Sequence, residues 1–168
     1  QARRIADRQA QDWVLLADRL KGRKMLEAAL IEYDKALARL GQSEPLVANK
    51  KAHALLLMSR PKDAIAVLEQ SLKYAPDMAA TLDNLAEARL ALAAASKDES
   101  SADADRRAAL ELARRSERIN PFSMDTHVRL ASLYERFGRP DDAARSRERI
   151  ALLRQLRCGR RDGFPAGD

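Results

Sequence analysis

Residues 12–40 read DWVLLADRLKGRKMLEAALIEYDKALARL, and the fold is decided there. Trp13, Leu16, Ala17 and Leu20 stand at i, i+3, i+4 and i+7, which is one stripe of a helix with a 3.6-residue period. Ala29, Tyr33, Ala36 and Leu37 repeat the pattern after a break at Lys21-Gly22-Arg23. Each helix so defined has one apolar stripe and needs a neighbour to cover it. Ala17 and Ala29 are small enough for the two backbones to approach closely, and the rings of Trp13 and Tyr33 fill the space beside them.

The same residue types return along the chain. Alignment on the close-packing alanines gives steps of 35 residues from Ala17 to Ala52, 34 from Ala52 to Ala86, and 45 from Ala86 to Ala131, the last being one period plus 11 residues. The second unit carries Ala48, Lys51, Ala52 and Leu55, then Ala64, Leu68 and Ser71, with Pro61 suited to open its second helix. Unit three has Leu82, Leu85, Ala86 and Arg89, then Ala109, Ala113 and Ser116. His127, Leu130, Ala131 and Tyr134, the turn Gly138-Arg139-Pro140, and Ala143, Arg147 and Ile150 make the fourth. Pro76 and Pro121 fall at one place, where a proline ends the preceding helix. Gly41 holds that place in the first unit, and Pro45 opens the next.

This pattern resembles the tetratricopeptide repeat, a helix–turn–helix unit of about 34 residues. The resemblance implies an all-α, right-handed superhelical α-solenoid. One domain is expected over residues 1–158, with repeats at about 10–43, 45–78, 79–122 and 124–157, an insertion near 94–105, and a basic, glycine-containing tail at 159–168. The insertion reads as a Ser-rich loop between two helices that its Ala-rich and Asp-Arg-Arg-Ala flanks can lengthen, with the alternative of a finger that touches a bound partner or the rest of the parent protein. In a solenoid such a loop projects from one edge without disturbing the stack.

Composition agrees with an aromatic-poor helical domain: 46% of residues are hydrophobic and 4% aromatic, so the core is built from Leu and Ala. Sustained alternation of β-branched residues is missing, and no apolar run approaches the length of a membrane span. No secretory or transit segment is visible, and the compartment is left undetermined. Gln1 already stands in a charged helical stretch, so the chain is expected to be part of a longer protein or a processed product. Phe164 and Pro165 in the tail receive no role.

Catalytic and metal chemistry find no support. Cys158 is the only cysteine, so neither an internal disulfide nor a cysteine-built zinc site is expected. His53 and His127 lie in different repeats without a partner at ligand spacing. The acidic run Asp98, Glu99, Asp103 and Asp105 lacks the glycine and closing glutamate of a calcium loop. No nucleophile or phosphate-binding glycine loop accompanies His53, Asp83 and Glu87. The expectation is a non-enzyme with no cofactor.

The resemblance further implies a protein–protein interaction module whose concave face, formed by the first helix of each repeat, binds a protein or peptide segment. Carried over by position, that face shows Val14, Leu15 and Asp18, then Asn49, Lys50, His53 and Leu56. Asp83, Asn84, Glu87 and Leu90 follow, then Val128, Arg129, Ser132 and Arg136. Asn49 and Asn84 offer both donors and acceptors to a bound backbone, Lys50 and Arg129 offer positive charge, and Asp83 with Glu87 forbids a uniformly acidic ligand. A variant of the family grips the acidic carboxyl terminus of heat-shock chaperones with two lysines, two asparagines and an arginine. Those five positions fall here on Asn49, His53, Asn84, Asp125 and Arg129, of which only Asn84 and Arg129 match. Asp125 stands where a lysine should hold the carboxylate, so a chaperone tail is disfavoured.

Net charge supplies an alternative. The chain is +6, and residues 139–161 alone hold eight arginines against three acids. A basic patch of Arg145, Arg149, Arg154 and Arg157 suits electrostatic docking to nucleic acid, an anionic membrane surface or an acidic partner. The blander account is a polar cap that keeps the array soluble. Nucleic acid is disfavoured because the chain has too few aromatic rings for base stacking. Homo-oligomerisation through the exposed ends of the array is left open.

Overall fold

The computed structural model describes the backbone of residues 2–41 and 44–158, and side chains over 8–41 and 44–156. Among the described residues every regular element is a helix: α1 (Ala2–Gly22), α2 (Leu26–Leu40), α3 (Pro45–Leu57), α4 (Pro61–Leu72), α5 (Ala79–Ala95), α6 (Glu99–Ile119), α7 (Met124–Arg136) and α8 (Pro140–Cys158). None of these helices is long and apolar enough to cross a membrane. Consecutive helices pair as α1/α2, α3/α4, α5/α6 and α7/α8, and each pair packs on the next through α2/α3, α4/α5 and α6/α7. The result is a right-handed α-solenoid.

Small residues set the spacing. Ala17, Ala52, Ala86 and Ala131 in the first helices and Ala29, Ala64, Ala109 and Ala143 in the second are all buried, so a larger side chain at any of them would push two helices apart. Tyr33, Leu68 and Ala113 fill one repeated interior position, whereas Arg147, which occupies it in the last unit, is exposed and pairs with Glu135. Leu16 is also exposed, because no earlier helix among the described residues packs on its outer side, whereas the equivalent Leu85 on α5 and Leu130 on α7 have an earlier pair against them and are buried. The buried side chains form two clusters that meet at α5: Leu85 and Ala88 belong to the first, and Ala86 to the second.

Three of the turns within pairs share one device. The amides of Met25, Arg60 and Arg139 reach back five residues to the carbonyls of Leu20, Leu55 and Tyr134 at 3.0, 2.9 and 2.8 Å. Each turn needs one residue in the left-handed region, supplied by Lys24 (φ 62°), Ser59 (φ 57°) and Gly138 (φ 64°). Pro61 and Pro140 then open the following helices, where the missing N–H costs nothing.

The insertion differs from the expected loop. Only residues 96–98 separate α5 from α6, so the 11 extra residues lengthen both helices. Alanine on one side and a capped, ion-paired start on the other make helix the cheaper state. Asp98 caps α6 by accepting from the Ser101 hydroxyl at 2.6 Å and the Ser101 amide at 2.9 Å, and these bonds, the hydroxyl's first, lower its pKa. Glu99 and Asp103 pair with Arg106 and Arg136, and Asp105 accepts from Arg89 at 2.9 Å. Of the acidic run, Glu99, Asp103 and Asp105 are therefore arginine partners and Asp98 is a helix cap.

Candidate partner-binding groove

The first helices also meet one another across repeats, α1 against α3 and α3 against α5, and polar side chains of α1, α3, α5 and α7 form a ladder from repeat to repeat. At one end Asp18 accepts from Lys50 at 2.5 Å and from the Tyr33 hydroxyl at 2.6 Å, with Lys21 at 3.7 Å. Burial pushes the Asp18 carboxyl up, but the bonds from Lys50 and Tyr33 and the two lysine charges outweigh it and hold the pKa below its ordinary 3.8. Burial first, then the bond to Asp18 and its charge, drive the Tyr33 phenol upward.

A stability consequence follows with a definite sign. A carboxyl whose folded pKa is depressed stabilises the fold fully above the unfolded value of 3.8, and loses that contribution as pH falls through the lower folded value. Urea unfolding of Asp18→Asn is therefore expected to show a deficit against the parent at neutral pH that shrinks steadily below about pH 4. A deficit that does not depend on pH would contradict the ionic account of this rung.

The next rungs follow the repeat. Relative to the close-packing alanines, Asp18, His53 and Glu87 are equivalent, as are Lys50, Asn84 and Arg129. Asp18 meets Lys50, and Glu87 meets Arg129 at 3.6 Å, so the same acid–base rung joins repeats one to two and three to four. The middle rung, between repeats two and three, is His53 and Asn84. It holds no ion pair among the described residues, and Asn84 makes no side-chain hydrogen bond among them. A second clasp recurs beside the ladder: Asn49 donates to Thr81 at 3.1 Å, and at the equivalent place Thr126 donates to Asp83 at 2.8 Å.

Several expected site residues are thus placed but occupied. Lys50 and Arg129 do not present free positive charge, because Asp18 holds the one, and Asp83 (3.3 Å) and Glu87 hold the other. Arg136 is tied to Glu99 and Asp103, while His53 and Ser132 are exposed. A cleft of about 340 Å³ opens between α5 and α7, lined among others by Asp83, Asn84, Glu87, Ser123, Asp125 and Arg129. Thr81 and Thr126 were missed from sequence. Their signal is a buried threonine recurring 45 residues apart, opposite Asn49 and Asp83.

The arginine-rich end is only partly available as a patch. Arg145 and Arg139 share Asp142 at 2.5 Å each, and Arg139 also lies over the Tyr134 ring at 4.8 Å. Arg149 and Arg154 are exposed on α8 without an ion pair among the described residues. The side chain of Arg157, like Cys158 and the tail at 159–168, lies outside the residues whose side chains are described. His127, Glu117 and Tyr134 line a separate cleft of about 450 Å³ against α8, where the His127 Nε2 donates to the Pro121 carbonyl at 2.9 Å.

No protein-family model matches the chain, and no curated protein matches it in sequence. Among solved structures it is similar to a thermophilic TPR protein of Thermus thermophilus, with a TM-score of 0.74 at 22% identity, covering 86% of this chain and 74% of that one. MamA from Desulfovibrio magneticus is similar with a TM-score of 0.68 at 19% identity, over 88% of this chain and 76% of the other. The first TPR of Spaghetti (RPAP3), bound to an HSP90 peptide, gives 0.67 at 12% identity, over 79% and 95%. The chain therefore has the tetratricopeptide-repeat fold, with four helix pairs among the described residues. At these identities the likeness is one of fold.

Proposed function

We propose that the chain is a protein-interaction module that seats a partner segment in its concave groove, over the His53–Asn84 rung and the adjoining cleft between α5 and α7. The observation that carries this reading is the ladder itself. Its outer rungs are closed by Asp18–Lys50 and Glu87–Arg129, and the middle rung leaves an amide and an imidazole facing the open side. An amide can donate to and accept from the backbone of a bound segment at once. Asn49, Lys50, Asp83, Glu87, Arg129, Ser132 and Arg136 frame that position and hold its shape. The Spaghetti array, which binds an HSP90 peptide, supports the idea that a fold of this size can hold a segment. An acidic tail of that kind suits this groove poorly, since Asp125 replaces the lysine expected there and the arginine is already engaged.

Affinity capture from the native source tests the reading. Asn84→Trp fills the middle rung without removing an internal bond, and is expected to cut recovery of the partner by about tenfold. Ala66→Trp, at an exposed position on α4, serves as the control and is expected to leave recovery unchanged. Equal recovery by both would place the site elsewhere.

A further inference from the structure

We propose that the cleft between α5 and α7 receives a basic side chain, lysine or arginine, of the bound segment; this rests on the groove reading and narrows its partner to a basic one. Three carboxylates, Asp83, Glu87 and Asp125, line the cleft against one guanidinium, Arg129. That guanidinium is 14% exposed and already directed at Asp83 and Glu87, so it neutralises the inner wall and offers little to a ligand. Asp83 is 15% exposed and accepts two contacts from Thr126 besides Arg129. One guanidinium among three carboxylates leaves the cleft with an excess of negative charge; Glu87, 52% exposed and 3.6 Å from Arg129, and exposed Asp125 bring it to the surface from opposite walls. Asn84, between them, supplies a carbonyl oxygen without a partner among the described residues.

The negative sign is local and runs against the charge of the whole chain. A protein of net charge +6 attracts acidic ligands at long range and repels basic ones. At contact range the carboxylates lining the cleft set the sign, so an acidic side chain drawn to the molecule is repelled there, while a basic one gains two carboxylate partners. The two segments are therefore discriminated by the site rather than by bulk attraction.

Fluorescence anisotropy with the whole chain tests this, using a labelled Gly/Ser peptide bearing arginines and its twin bearing glutamates. The arginine peptide is expected to bind, and Glu87→Gln and Asp125→Asn, both at exposed positions, each to weaken it by about two- to fivefold. Binding of the glutamate peptide with equal or greater affinity overturns the inference, as does an arginine peptide that ignores both substitutions or fails to bind at about 1 mM. Asn84→Trp separates the two levels. If it abolishes a preference for glutamate, the groove reading stands and the basic partner falls; if it affects neither peptide, both fall.

Discussion

Leu130→Ala is expected to lower the unfolding free energy by about 2–5 kcal/mol, with most of the loss confined to the last helix pair. Leu130 is fully buried on α7 in a cluster with Ala109, Ala113, Leu133 and Tyr134, so truncation leaves a void lined by side chains from two pairs. In a linear array each pair touches only its neighbours, and damage at one end is felt mainly there. The α6/α7 junction is sparser than the contact within α5/α6, which favours separate opening of α7 and α8. Urea unfolding gives the magnitude, and amide hydrogen exchange gives the location. Faster exchange over α7 and α8 with α1 to α4 unchanged is the predicted pattern. Uniform acceleration along all helices would show that the stack unfolds as one unit.

Removal of the Asp83 carboxylate is the second large effect, and it concerns the walls of the groove. Asp83→Ala is expected to cost about 2–3 kcal/mol, because Thr126 and Arg129 lose their shared acceptor while both stay largely covered. Arg129→Met alone leaves Asp83 with Thr126 only. The double substitution is expected to cost at least about 1 kcal/mol less than the two singles added, since Asp83→Ala leaves Arg129 only Glu87 and Arg129→Met leaves Asp83 only Thr126, and the double removes both under-paired charges. Costs that add to within about 0.5 kcal/mol would mean that the two side chains do not support each other.

The helix pairs were legible from residue size alone. Alanine at one fixed place in every unit, with a larger apolar residue three or four positions away, defines both a helical face and its close approach. Pro76 and Pro121 mark ends because a proline ring excludes a continuing helix, and Pro61 and Pro140 mark starts because the first turn needs no N–H from them. The insertion was harder. Ser100, Ser101 and Asp103 read as loop residues by type, but Asp98 caps them into a helix and Arg106 and Arg136 neutralise its first turns, contacts that spacing along the chain does not reveal.

The groove shows the same division. Its positions could be carried over from the repeat, and so could the acid–base alternation of Asp18 with Lys50 and Glu87 with Arg129. Whether those charges face a ligand or each other depends on side-chain direction across residues 32 and 42 apart, which only the folded stack sets. Lys50 and Arg129 were expected to be offered to a partner, and both are spent on holding repeats together. Asn84 and His53 were already expected on the binding face; that they form the open rung is visible only because the rungs on either side of them are closed.

Site-specific photocrosslinking reaches the central claim most directly. A photoreactive residue in place of His53 lies on the open rung, and one in place of Ala66 lies on the second helix of the same repeat. Irradiation in extract of the native source is predicted to join the first, and not the second, to a lysine- or arginine-containing segment of one partner. Crosslinks formed from position 66 and absent from position 53 would contradict a groove that opens to receive a guest.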